Sequence, residues 1–284
     1  MKKKPIVISL AVLAFLAALG LTLYPMIAAK YNEAHQSKVL IDYRESVDRK
    51  DDSEKEYILE SARRYNEALH SGVTRANAQS TTATAFEEYS KQLDVLGNGI
   101  MGYIRIPAIG INLPVFHGSD DKTLAQGVGH LFGSSLPVGG AGTHAVLTGH
   151  SGMASQRMFS DLADMKTGDV FFIDVLGERL AYKVRQINVV LPHDASLLEI
   201  VPDEDLCTLV TCTPYGVNTH RLLVQGSRIP YEDAEENITL NETAPMRSTW
   251  ERQYAKGICA GVIVAVALGT AIFVVRMIRR KRHE

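Results

Sequence analysis

An all-β exterior domain, barrel or sandwich, carried on a helical arm and held between two membrane helices, is the architecture this sequence predicts. Three observations predict it. Residues 5–29 and 257–275 are long runs without a charged side chain, each flanked on its outer end by basic residues. Between them, residues 102–228 break into short runs rich in β-branched and aromatic residues, separated by Gly, Pro and Asp. The segment that leads into those runs has helical rather than strand periodicity.

At roughly 1.5 Å per residue, each uncharged run can cross an apolar layer about 30 Å thick. Lys2, Lys3 and Lys4 precede the first, after a tail of residues 1–4, and Arg276, Arg279, Arg280, Lys281 and Arg282 follow the second in residues 276–284. Basic flanks stay on the cytoplasmic side, so both termini are expected there and the domain between the spans outside the cell membrane. A cleaved signal peptide is the other reading of residues 5–29, but a typical apolar signal region has only about 7 to 15 residues, which favours an uncleaved anchor. The 284-residue chain has 30 basic and 32 acidic side chains, yet the segment between the spans carries 22 against 31, a charge of about −9. An acidic exterior gives phosphates no footprint and argues against nucleic acid. The spans exclude a soluble cytoplasmic enzyme, and a charged content of only 22% excludes a chain disordered throughout.

Residues 30–99 read as the arm and a loop. Ile58, Ala62, Tyr65 and Leu69 fall at offsets of four, three and four, one stripe of a helix within Tyr43 to His70. Ser71 to Thr84 is small, polar and without period, which reads as a mobile loop. The β domain, residues 100–230, contains Tyr103–Ile106, Ala145–Leu147, Val170–Ile173, Leu180–Leu191, Leu206–Cys212 and Leu222–Val224 as expected strands, and Met158–Met165 as an expected inserted helix. Residues 231–256 are an acidic, polar tether ending in Trp250 and Tyr254, placed as interfacial aromatics before the second span.

Cofactor motifs are wanting. Gly97, Gly99 and Gly102 match G-x-G-x-x-G, but a strand ending in Pro107 follows instead of a helix opening on a phosphate. There is no H-E-x-x-H, C-x-x-C or P-loop, and the nine histidines show no ligand spacing, so neither cofactor nor metal is signalled. Asn237-Ile238-Thr239 and Asn241-Glu242-Thr243 match a three-residue glycosylation pattern too short to carry a function.

Three places converge on one chemistry. Cys207 and Cys212 lie five apart in a strand-like run, so alternation sends them to opposite faces, and Cys259 lies in the second span; at least one thiol should be free. Cys212 ends its run just before Pro214, where a reactive group meets solvent. A hairpin return would bring Arg221 or His220 beside it. His150 stands at the end of another run, Ala145-Val146-Leu147-Thr148-Gly149. A thiol attacking a carbonyl needs a proton acceptor and donor, and a positive group where the oxyanion forms; Cys212, His150 and Arg221 supply them.

The sequence here resembles the sortases, cysteine transpeptidases of Gram-positive bacterial surfaces, and among them the class C, pilin-polymerising group. The resemblance runs through Met101–Pro107, Phe116–Gly118, Gly129–Pro137, Leu147–His150 and, most specifically, Thr208–Gly226. It implies a closed eight-stranded sortase-type β-barrel, with Cys212 as nucleophile, His150 rather than His220 as acid/base, and Arg221 on the substrate carbonyl and oxyanion. It further implies cleavage of an LPXTG-like sorting signal between Thr and Gly, a thioester on Cys212, and transfer of the pilin to a lysine amine of another subunit, so that pilin subunits and the lipid bilayer are its partners. A peptidoglycan-anchoring sortase, a hydrolytic peptidase and a non-enzymatic tethered β-domain are the competing readings. Class C enzymes commonly carry an Asp-Pro-aromatic lid over the cysteine, and this chain has no Asp-Pro dipeptide. Phe86 or Tyr89 is the substitute lid considered in its place.

Overall fold

The computed structural model describes residues 3–70, 83–151, 156–240, 256–261 and 263. Residues 1–246 form one compact unit and residues 247–284 a second, of which 256–261 are helical. A single helix, α1, runs over Lys3–Asp48, and α2 over Asp52–His70. The expected first span and the start of the arm therefore share one helix. Among the described residues no helix is long and apolar enough to cross a membrane; the side chains of many of residues 5–29, and residues 264–275, lie outside that set.

The buried face of α2 is Leu59, Ala62, Asn66 and Leu69, with Ile58 and Tyr65 packed at its edge. The expected stripe is thus centred slightly off, on a polar residue. Asn66 sits in it because its amide closes a two-way pair with one buried peptide, donating from Nδ2 to Leu136 O at 3.0 Å and accepting from Leu136 N at 2.7 Å. Asn66→Ala should leave both backbone groups unpaired beneath the helix and cost about 2–3 kcal/mol of stability, read as a lower urea midpoint at unchanged slope.

Residues 71–82, most of the expected loop, lie outside the described residues, and the chain resumes as a short helix, α3, over Ala83–Ser90. Eight strands follow: β1 Ile100–Ile106, β2 Ile111–His117, β3 Val128–His130, β4 Thr143–Thr148, β5 Val170–Val175, β6 Glu178–Val190, β7 Asp205–Thr213 and β8 His220–Ile229. They close into a barrel in the order β1-β2-β3-β4-β7-β8-β6-β5. All six expected strands are present. The two unexpected ones are β2, which carries Pro114, and β3, only three residues long. Pro114 is tolerated because β3 pairs with β2 only from Val115 onward. The expected helix over Met158–Met165 is instead a set of turns with a 3₁₀ turn at Leu162–Asp164.

Two parallel pairings, β2 with β3 and β4 with β7, interrupt an otherwise antiparallel barrel. The barrel interior is apolar, including Ile104, Val115, Leu147, Phe171, Ile173, Tyr182, Leu209 and Val224. A last helix, α4, Tyr231–Leu240, covers the outside of β5 and β6 through Ala234 and Tyr231, whose ring meets Phe172 edge-on, 5.4 Å between centroids. Nearer the arm, the buried Tyr43 of α1 donates from its hydroxyl to Met101 O and accepts from Leu176 N, both at 3.0 Å, which fixes α1 to the ends of β1 and β5.

Candidate active site

Cys212 is the penultimate residue of β7 and stands directly opposite Arg221 in the β7–β8 register. On its other side β7 runs parallel to β4, with Thr148 opposite Val210. Two residues further along both strands this register brings His150 to the level of Cys212. The extension is held by hydrogen bonds: Gly149 N donates to Val210 O at 3.0 Å, and the buried Thr211 hydroxyl donates to Gly149 O at 2.7 Å. Gly149 has no room for a side chain, since a Cβ would stand 2.8 Å from the Phe159 ring. The His150 carbonyl in turn accepts from Phe159 N at 3.0 Å.

Alternation along the strands decides which side chains meet. Val210 and Cys212 share a face of β7, Thr148 and His150 the matching face of β4, and Leu223 and Arg221 that of β8. The opposite faces carry Leu147, Leu209 and Val224 into the core. Cys212, His150 and Arg221 therefore stand together on the outside of the barrel, at the ends of three adjacent strands, with the cysteine between the other two. His220 pairs with Thr213, faces the other way, and engages Thr219 Oγ1 at 2.9 Å. The expected three residues are thus brought together and the fourth is not. Arg221 directs one guanidinium nitrogen to the carbonyls of Asn218 and His220, at 3.3 and 3.1 Å, which ties its head to the β7–β8 turn.

The thiols differ as the spacing predicts. Cys207 is fully buried on the core face, and burial pushes its thiol well above the ordinary range. Cys212 is half-buried, and no described cysteine is in a disulfide. The neutral Cys207 is inert; a nucleophile needs the accessible position. Among the described residues no group of three His, Cys, Asp or Glu side chains could hold a metal ion.

Phe86 and Tyr89 lie elsewhere. Tyr89 is fully buried, its hydroxyl 2.8 Å from His130 Nδ1, 3.0 Å from His130 O and 3.1 Å from Gly118 N. Phe86 packs on Tyr89 and Phe132 with centroids 5.5 Å apart in each case. These contacts belong to the C-terminal ends of β2 and β3. Because β3 is antiparallel to β4 and β4 parallel to β7, that end is opposite the Cys212 end. Tyr89 contacts His130, whose partner Leu147 pairs with Leu209, three residues before Cys212 and two strands across; at about 3.3 Å per residue and about 4.8 Å per strand, the two sites are roughly 14 Å apart. Tyr89 is a buried clamp between α3 and the barrel, and neither ring is placed over the thiol.

The clamp includes a histidine the sequence did not single out. His130 Nε2 donates to Ser135 O at 2.7 Å, which leaves Nδ1 to accept from Tyr89. Burial pushes its pKa down to about 4, and burial likewise lowers those of His117 and His144. An unfolded histidine at about 6.5 binds its proton more readily than these folded ones. The neutral forms therefore stabilise the fold above about pH 6.5, and that contribution is lost as pH falls toward 4. For His130 alone the loss is about 3 kcal/mol. The urea midpoint should fall steeply between pH 7 and pH 4.5, and a flat profile would contradict the assignment.

Comparison with known proteins identifies the domain that carries these residues. Residues 104–229 match the family model described as Sortase domain. Sortase C1 of Streptococcus agalactiae is 44% identical, with a TM-score of 0.64 over 68% of this chain and 98% of its own. Sortase C of Clostridium perfringens, solved with the C-terminal cell wall sorting motif, is 40% identical, with a TM-score of 0.59 over 68% of this chain and 99% of its own. Sortase C of Streptococcus pneumoniae, described in terms of its pilin substrate specificity, is 37% identical, with a TM-score of 0.59 over 68% and 97%. Curated sortase A relatives are more distant, at 31% and 30% identity, and the chain spans only 60% and 51% of their lengths.

Proposed function

This chain belongs to the sortase family of cysteine transpeptidases, and from that premise we propose that it polymerises pilins, cleaving an LPXTG-like sorting signal between Thr and Gly and passing the pilin to a lysine amine. The observation that carries the reading is the placement of Cys212 between His150 and Arg221 on one outer face of the barrel. The class C structures among its relatives, one solved with a sorting motif and one described by its pilin substrate, support the choice of substrate.

The steps follow from the positions. The Cys212 thiolate attacks the carbonyl carbon of the signal's threonine. Negative charge gathers on the carbonyl oxygen, on the side where Arg221 stands, and a guanidinium stabilises it there. As the C–N bond breaks, His150 gives a proton to the departing glycine amine, leaving the pilin as a thioester on Cys212. A lysine amine then attacks the thioester carbon, His150 takes its proton, and the thiolate is released as the new amide forms. Electron and proton counts close with no cofactor.

Residues 5–29 and 257–275 complete the proposal as membrane spans, with the catalytic domain outside and both termini cytoplasmic; their lack of charge and their basic flanks support this. Tethering suits the chemistry, because confinement of enzyme and anchored substrate to one surface raises their effective concentration. The test is a competition of acceptors. The full chain in detergent, given an LPXTG peptide with equal lysine-containing pilin peptide and peptidoglycan cross-bridge amine, should form the lysine amide in excess. A product only on the cross-bridge amine would instead make it an anchoring sortase, and free acid alone a hydrolase.

A further inference from the structure

The connection between β6 and β7, residues 191–204, begins beside the active site, since Val190 at the end of β6 pairs with Arg221. It carries exposed apolar side chains, Leu191 and Val201; its backbone bonds are short-range except at its last residue, where Thr143 N donates to Glu204 O at 3.1 Å. Such a loop would be mobile unless the barrel held it. It is held, by a row of buried polar side chains that the catalytic steps do not use. His144 of β4 donates from Nδ1 to Glu199 O at 2.7 Å, while its Nε2 meets Thr208 Oγ1 of β7 at 2.7 Å. Gln225 of β8 donates from Nε2 to Leu197 O at 3.2 Å, and its Oε1 accepts from Gln186 of β6 at 2.7 Å. The two carbonyls belong to the middle residue and the C-terminal cap of the 3₁₀ turn at Ser196–Leu198.

The row stands on the same face as the reactive residues. Thr208 is two alternations from Cys212 on β7, Gln225 two from Arg221 on β8, and His144 three from His150 on β4. His144 and Thr208 are fully buried and Gln225 is 4% exposed, so the loop seals them from water. Two strands thus hold one loop directly, through His144 and Gln225, and two more brace those side chains through Thr208 and Gln186, across the outer face that a substrate must approach. We propose that His144 and Gln225 are positioning residues that hold residues 191–204 as a wall of the sorting-signal site and so set substrate affinity without entering the chemistry. This rests on the transpeptidase reading.

The experiment compares His144→Phe, Gln225→Leu and His144→Asn with the wild-type full chain in detergent, measuring kcat and KM on an LPXTG peptide and hydrogen exchange across residues 194–204. Phenylalanine and leucine fill the space but donate nothing, whereas the asparagine amide offers an N–H where Nδ1–H stood. The first two should raise KM about tenfold, the equivalent of one hydrogen bond, with kcat changed less than twofold and loop exchange about tenfold faster. His144→Asn should restore KM to within about threefold of wild type. An unchanged KM, or a loss carried by kcat alone, overturns the proposal. Should the wild-type chain cleave no sorting peptide, the functional reading fails, and unchanged loop exchange in His144→Phe would separately overturn the anchoring.

Discussion

Cys212→Ala should abolish transfer, lowering the rate by at least about 10⁴-fold, because the bond-forming atom itself is gone and no neighbour can replace it. The nearest other thiol of the barrel, Cys207, points into the core from the opposite face of the same strand and is held protonated by burial. His150 and Arg221 would remain in place and could still polarise a carbonyl, so binding should survive while turnover does not. The check is peptide turnover beside binding of the same peptide, with Cys207→Ala as the control; that control keeps the nucleophile and should retain activity. Turnover by Cys212→Ala above a thousandth of wild type would mean that another group attacks.

Arg221→Ala should cost about 10²- to 10³-fold in kcat, the range for losing one donor to a developing oxyanion. Arg221 stands opposite Cys212 in the register, and its head is pinned by the Asn218 and His220 carbonyls. Arg221→Lys keeps the charge but loses the planar fork, and so should recover only part of the loss. A role confined to substrate binding would raise KM and spare kcat. Full activity in Arg221→Lys would show that charge alone, without geometry, is what the site needs.

The site was more legible in the sequence than the barrel that builds it. Cys212 and Arg221 lie on adjacent strands of one hairpin, a local arrangement that period-two alternation and a proline at the strand end reveal. His150 shows in the sequence as a polar residue at a strand end, although what fixes its position, the Thr211 hydroxyl on Gly149 O, depends on the β4–β7 pairing across more than sixty residues. Parallel pairings need long crossovers and leave no local mark, and for that reason β3 has no signature in the sequence and barrel closure follows only from the family resemblance. Pro114 hid β2 by the ordinary rule against proline in central strands. Tyr89 invites a lid reading because it ends the segment where the family's Asp-Pro-aromatic lid would lie and could plug a site by apolar contact; its hydroxyl instead has three partners brought from β2 and β3 by folding. His144, His130 and Asn66 were silent for the same reason, each being a polar residue inside an apolar pattern whose partner lies far along the chain.

Trapping the acyl-enzyme tests the central claim most directly. Full-length protein in detergent is incubated with an LPXTG-type peptide and hydroxylamine, beside Cys212→Ala, and both mixtures are analysed by mass spectrometry. The account predicts a hydroxamate ending at the signal's threonine from the wild type and none from the variant. Hydroxamate from both, or cleavage at another bond, would contradict it.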